Sequence, residues 1–186
     1  MQRIWILAFS FLIFLSSFSI SFAKSDLAAA QTATPSSNQE VNYELPYPGL
    51  LPDSPLYFLR VTRDKLVSFL ISDPLKKAEF DLLQADKRLN AGIYLLNSAK
   101  QNNKKIKLAL STVSKAENYF EEALVRLGEA KMQGRDASSI EEKLKESAKK
   151  HEQELKILSE KSGANFKAGF EKELKRVIGF DQRLNQ

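Results

Sequence analysis

The chain has 186 residues, with 28 lysines and arginines against 23 acids, one histidine and no cysteine. These counts exclude disulfides, thiolate zinc sites and any metal motif that needs two histidines, such as HExxH. The net charge of +5 is small and acids are interleaved with bases, so no nucleic-acid partner is expected.

Residues 1–23 have the pattern of a secretory leader. Arg3 gives a positive start, residues 4–15 (IWILAFSFLIFL) form an apolar run, and small residues precede the junction of Ala23 and Lys24. We predict cleavage at that junction. The alternative is an uncleaved anchor, since the apolar stretch is long enough to cross a bilayer. Both readings predict an extracytoplasmic protein, which would be secreted, periplasmic or tethered at the outer face of the cytoplasmic membrane.

Residues 24–45 are rich in Ala, Ser, Thr and Gln and contain few large apolar side chains. Such a segment buries too little surface to offset the entropy lost on ordering. The composition therefore predicts a flexible linker, and the alternative is a short helix at residues 27–31.

Five helices are predicted after the linker, because no proline follows Pro74 and Ala, Leu, Lys and Glu dominate. The first begins at Ser54 as the N-cap, followed by Pro55, and Asp73 and Pro74 begin the second in the same way. The fourth opens on the S-x-x-E capping box of Ser139. The predicted ranges are 54–72, 74–100, 104–133, 139–162 and 165–178.

Each predicted helix carries an apolar stripe at steps of three and four residues. The stripes predict an all-α fold over residues 46–180, an antiparallel up-and-down bundle of four to five helices, with residues 181–186 as a tail. We expect every helix to hide its apolar side against the others, with the first and fifth at the ends or sides of the bundle. An array of TPR repeats is the competing layout, but no 34-residue repeat is visible.

Three segments carry a resemblance: YPGLLPDSPLYFLR (residues 47–60), DPLKKAE (73–79) and ADKRL (85–89). Together they resemble an uncharacterised family of exported, all-helical prokaryotic domains of unknown function. The resemblance covers about residues 46–158, and it departs from the family pattern at Arg60, usually Lys, and at Asn90-Ala-Gly92. It implies the fold and the compartment, but no activity. The signature residues are Pro48, Gly49, Pro52, Asp53, Ser54, Pro55, Leu56, Tyr57, Asp73, Pro74, Lys77, Ala78, Glu79, Arg88 and Leu89.

Four side chains are candidates for chemistry: His151 on the fourth apolar stripe, and the acids Glu79, Asp86 and Glu117 near the second and third. If they converged, they would form an oxygen-rich cation site or an acid–base pair. A metal centre needs several converging ligands, so we favour a buried histidine with one hydrogen-bond partner and ordinary ion pairs for the acids. The sequence predicts no catalytic residue, no metal site and no cofactor.

Residues 46–55 form the most unusual segment of the chain. Its prolines stiffen the entry to the bundle, and Tyr47, Leu50 and Leu51 offer apolar contacts. We favour a plug that packs over the end of the bundle, with a docking segment for a partner as the alternative.

The leading hypothesis is an exported, non-enzymatic helical module that acts through protein or cell-envelope contacts. Its partner would be an envelope protein or a second copy, with membrane contact only through an uncleaved leader. The second hypothesis is an envelope protein that binds cations or senses stress through the four candidate side chains. A hydrolase of wall polymers is the third, disfavoured because a bundle offers no obvious cleft for a carboxylate pair.

Overall fold

The computed structural model describes residues 42–185, and over that range the chain is helical with no strand. The helices are α1 (Tyr57–Leu70), α2 (Pro74–Asn97), α3 (Asn103–Met132), α4 (Ser138–Lys161) and α5 (Ala164–Leu184). The predicted all-α fold class is confirmed. The predicted leader, its cleavage position at Ala23 and Lys24, and most of the predicted linker lie outside the described residues. None of the five helices combines the length and apolar composition needed to cross a membrane.

Side-chain caps begin α2 and α3. The Asp73 carboxylate accepts hydrogen bonds from the backbone N–H groups of Leu75 and Lys76 at 2.9 and 3.1 Å, with Pro74 in the first turn as predicted. Asn102 caps α3 in the same way. These contacts satisfy amide groups that have no partner within the helix.

Two other helix starts differ from the prediction. α1 begins at Tyr57 rather than Ser54, because the N–H of Ser54 donates to the carbonyl of Leu51 and the segment between them turns. α4 begins at Ser138, and Ser139 forms no capping box. Instead, the Asp136 carboxylate accepts from the N–H and hydroxyl of Ser138 at 3.0 and 2.7 Å, a local turn that replaces the cap.

The bundle consists of two antiparallel hairpins, α2–α3 and α4–α5, that lie side by side. α2 packs along α4, and α3 packs along α5, whereas α3 and α4 lie diagonally across the bundle with few contacts. The chain reverses direction at each connection, as an up-and-down bundle requires. Because the two hairpins lie side by side in the same direction, α2 runs parallel to α4 and α3 runs parallel to α5.

α5 is a full member of the bundle and extends to Leu184, past the predicted end at residue 178. Phe170 and Val177 are fully buried, and Phe180 stacks on Phe120 with ring centroids 5.2 Å apart. The prediction that this helix packs at an end or side is therefore wrong. Its apolar residues form part of the shared core.

Gly92 allows α2 and α3 to approach closely. A Cβ atom at this position would lie 2.5 Å from Val113 Cγ2 and 3.4 Å from the carbonyl oxygen of Ala109. The side chain of valine is stiff, so it has little room to move away. This contact accounts for a glycine where the family pattern expects alanine.

Candidate functional site

His151 lies inside the bundle between two carboxylates. Its Nδ1–H donates to Glu117 Oε1 at 3.0 Å, and its Nε2–H donates to Asp86 Oδ1 at 3.1 Å. All three side chains are buried, and Phe120 covers the ring edge-on with centroids 5.2 Å apart. The structure therefore brings together three of the four candidate residues, which come from α2, α3 and α4.

Two hydroxyl groups complete this cluster, and the sequence reasoning missed both. Tyr43 donates its hydroxyl hydrogen to Asp86 Oδ2 at 2.6 Å, and Ser147 donates to Asp86 Oδ1 at 2.6 Å. Ser147 precedes His151 by four residues, so helical spacing was a usable signal. Tyr43 falls in the predicted linker and carried no such signal. Its hydrogen bond fixes the start of the described chain against the bundle.

The pKa of His151 is set by opposing effects. Burial lowers it, but the charge of Glu117 and the hydrogen bonds to Asp86 and Glu117 raise it to about 10. At neutral pH the ring is therefore an imidazolium, and both of its N–H groups donate. The pKa of Tyr43 is also raised, first by burial and then by the charge of Asp86, so that its hydroxyl keeps the hydrogen it donates.

The cluster has the geometry of a buried ion pair rather than a ligand set. The two ring nitrogens face different carboxylates, so the imidazolium occupies the space where the acids would have to converge. Among residues 42–185, no group of three or more His, Cys, Asp or Glu side chains is arranged to hold a metal ion. Glu79, the fourth candidate, is exposed and lies 4.0 Å from Lys143 Nζ.

A second cluster of buried polar side chains lies beneath α1. It consists of Arg60, Asp64, Gln84 and Arg88, and we call it the polar layer. Asp64 is 4% exposed, and its Oδ1 atom accepts from Arg63 Nη2 at 2.8 Å. Arg60 Nε lies 3.6 Å and Arg88 Nη2 lies 4.0 Å from its Oδ2 atom. The Arg88 guanidinium also donates to Gln84 Oε1 at 2.6 Å and lies 4.1 Å above the centre of the Tyr119 ring. α1 thus contacts α2 through charged and polar side chains, and Arg88 of α2 in turn contacts α3.

Arg60 joins the polar layer to the proline-rich residues 46–55, which we call the entry segment. Its Nη1 donates to the carbonyl of Pro48 and, at 2.8 Å, to that of Leu50. The turn between them needs Gly49, which has φ +70° and whose missing Cβ would lie 3.6 Å from the guanidinium. A guanidinium can serve two carbonyls and a carboxylate at once, a geometry that suits arginine better than the lysine usual in the family pattern.

The other signature residues fix the ends of helices. Lys77 Nζ donates to the carbonyl of Ser68 and, at 2.8 Å, to its hydroxyl, which holds the C-terminal turn of α1. Asp73 also pairs with Arg135 at 3.0 Å, and Asp53 pairs with Lys105 at 3.0 Å. Ala78 and Leu89 are fully buried core residues. The signature therefore maps largely onto the attachment of the entry segment and α1 to the bundle.

α1 presents its apolar side to solvent, which contradicts the expectation that every helix hides its apolar stripe. Phe58, Leu59, Leu66, Phe69 and Leu70 are between 53% and 82% exposed, and we call these five side chains the α1 face. The only buried residues of the helix are Arg60 and Asp64. Because the inward side of α1 contributes Arg60 and Asp64 to the polar layer, its apolar side points outward.

The entry segment combines features of both predicted roles. Pro48 is buried and the carbonyl of Pro46 accepts from Asn90 Nδ2 at 3.0 Å, so the segment is attached along α2. Tyr47 and Leu50 remain 75% and 43% exposed. Both side chains line a shallow depression together with Leu59 and Arg63 of α1.

Asp81 is a buried acid without a hydrogen-bond partner among the described residues. Only 1% of it is exposed, and burial together with the charge of Glu122 raises its pKa to about 6, against the opposing charges of Lys77 and Arg126. Sequence reasoning did not select it. At neutral pH the fold therefore carries the cost of an ionised, unpaired carboxylate.

A family model described as Domain of unknown function (DUF5667) matches residues 49–165. The chain belongs to the DUF5667 family. The predicted resemblance to an uncharacterised family of helical domains is thereby confirmed. No curated protein and no solved structure matches the chain.

The DUF5667 match contains the whole polar layer beneath α1, as well as Asp86, Glu117 and His151. It begins at Gly49, the residue that allows the turn held by Arg60, and it ends at the start of α5. Tyr43 lies before the match, so the hydroxyl that completes the Asp86 cluster comes from outside the matched residues.

We predict that the stability of the protein falls as pH rises from about 6.5 towards 10. A group with a raised folded pKa contributes stability that is complete below its unfolded pKa and is lost above its folded one. Chemical denaturation across this pH range will test the prediction, with His151→Gln as the comparison. The variant should be about 3 kcal/mol less stable at pH 7 and lack this part of the pH dependence. If the free energy of unfolding changed with pH in the same way in both proteins, the raised pKa of His151 would not be its cause.

Two buried acids on α2 should respond in opposite ways to the same substitution. Asp81→Asn should raise the free energy of unfolding at pH 7 by about 1 kcal/mol, because it removes an unpaired charge. The gain should shrink towards zero as the pH falls through 3.8, the ordinary pKa of the carboxyl, because the group becomes protonated in the unfolded state as well. The matched change Asp86→Asn should cost about 2 kcal/mol, since one amide oxygen replaces two acceptors for three donors. Thermal denaturation at pH 7 and pH 3.5 measures both, and destabilisation by Asp81→Asn at pH 7 would refute this account.

Proposed function

We propose that this DUF5667 protein is an exported, non-enzymatic module that acts by contact at the cell envelope through the α1 face. The observation that carries the proposal is a helix held in place by a charged inner side while its apolar side is left in water. Exposed apolar surface of this kind is typical of interaction sites. The leader-like pattern of residues 1–23 supports export.

The geometry favours a contact module over the cation-binding alternative. Both nitrogens of His151 are already engaged with carboxylates, and Glu79 lies apart from the cluster. It also favours contact over hydrolysis, since the paired acids are buried and face an imidazolium instead of an open cleft. The ion-paired cluster instead holds α2, α3 and α4 together.

Photo-crosslinking in the native cell tests this proposal. A benzophenone amino acid at position 69, on the α1 face, should form covalent adducts with envelope components, and the chain should fractionate with the envelope. The control is the same probe at Met132, which is equally exposed at 83% but lies at the end of α3. Equal labelling at the two positions, or a cytosolic chain that retains Met1, would contradict the proposal.

A further inference from the structure

We propose that the α1 face binds the surface of a lipid bilayer that carries anionic headgroups. The inference rests on the proposed function, since it names the partner of the same surface. It goes beyond the sequence prediction, in which membrane contact came only from an uncleaved leader.

The first argument is the shape of the surface. At 100° per residue, Phe58, Leu59, Leu66, Phe69 and Leu70 fall within about one third of the helix circumference. They form a ridge along the outside of α1. A ridge of this kind can sink its side chains among headgroups and upper acyl chains while the helix axis lies parallel to the bilayer.

The second argument is how the helix is held. Arg60 bonds to the carbonyls of the entry segment at one end, and Lys77 bonds to Ser68 at the other. Asp64 between them faces the two arginines of the polar layer. The apolar ridge is thus presented outward before any partner arrives, so little ordering entropy remains to be lost on binding.

The third argument is charge. Asp64 is the only acid in α1, and it is buried, whereas Arg63 and Lys65 are exposed on opposite flanks of the ridge. The Arg63 guanidinium pairs with Asp64 at 2.8 Å, but two thirds of its side chain remains exposed. Lys87 lies near Arg63 and Leu59 in the same shallow depression, which has a volume of about 380 Å³. The exposed charges on α1 are therefore all positive. An apolar stripe bordered by cations is the complement of an anionic membrane surface.

The same charges argue against a second copy of the chain as the occupant. In a two-fold contact of ridge against ridge, the flanking cations of each copy would meet those of the other, with no exposed acid on α1 to pair with them. A bilayer with anionic headgroups carries the opposite charge and meets no such repulsion.

The test places a single tryptophan reporter in the full-length chain. Trp5→Phe removes the only native tryptophan, and Phe69→Trp then puts a reporter on the α1 face. The matched control carries Met132→Trp. Each protein is mixed with phosphatidylglycerol–phosphatidylcholine vesicles whose acyl chains are brominated near the headgroup, or with brominated phosphatidylcholine vesicles alone.

We expect the emission at position 69 to shift to shorter wavelength and to be quenched several-fold more than at position 132, with the effect strongest on anionic vesicles. Lys65→Gln combined with Lys87→Gln, which leaves the Arg63–Asp64 pair intact, should raise the vesicle concentration needed for half-maximal quenching about tenfold, at roughly one factor of three to five per base. The matched pair Lys161→Gln and Lys172→Gln, on α4 and α5, should change it less than twofold.

Equal quenching at positions 69 and 132 would overturn the inference. So would a shift at position 69 that depends on protein concentration and needs no vesicles, because that result assigns the face to a second copy. Protein adducts from the crosslinking probe at position 69, without lipid quenching there, would leave the proposed contact function standing and remove only the bilayer as the partner.

Discussion

The ion pairing of Asp64 with Arg60 and Arg88 is the constraint on which the outer part of this structure depends. These three side chains lie between α1 and the bundle with less than a tenth of their surface exposed. A buried carboxylate needs cations and hydrogen-bond donors. Arg63 of the same helix donates to Asp64 Oδ1 at 2.8 Å, and this orientation of α1 places Arg60 and Arg88 beside Oδ2. Once the charged side of α1 faces inward, its leucines and phenylalanines must face outward.

The bundle uses buried charge in two different ways. Asp86, Glu117 and His151 connect α2, α3 and α4 within a core that is mostly apolar. A shifted register between these helices would leave one of the three charges buried without a partner. The cluster therefore favours one arrangement of the hairpins. The layer around Asp64 instead holds a helix that shares little apolar surface with the others. Its attachment depends on electrostatics and hydrogen bonds more than on the hydrophobic effect.

Much of the bundle could be predicted from the sequence, since α2 to α4 bury the stripes that the periodicity identifies. The caps at Asp73 and Asn102 follow from local chemistry, and the proline distribution separates the entry segment from the helices. The convergence of Asp86, Glu117 and His151 could only be suspected, because it depends on the register between three helices. The side-by-side order of the hairpins is likewise a property of packing between distant residues.

The orientation of α1 is the main feature that the sequence predicts wrongly, and the reason is physical. Apolar periodicity reports that a helix has two sides, but it does not say which side the protein covers. The missed signal was a matching polar stripe on α2, at Lys77, Asp81, Gln84 and Arg88, which recurs at steps of three and four. Such a stripe on a helix with an apolar opposite side indicates a charged neighbour. Arg60 and Asp64, four residues apart, were that neighbour.

Thiol labelling measures the orientation of α1 most directly, because the chain contains no native cysteine. Single variants Leu66→Cys and Phe69→Cys report the outward side, and Ser68→Cys reports the side that faces Lys77. With a maleimide reagent under native conditions and without vesicles, the account predicts that positions 66 and 69 react at least tenfold faster than position 68. Slow labelling at 66 and 69 with fast labelling at 68 would show that the apolar side is buried, and would contradict the account.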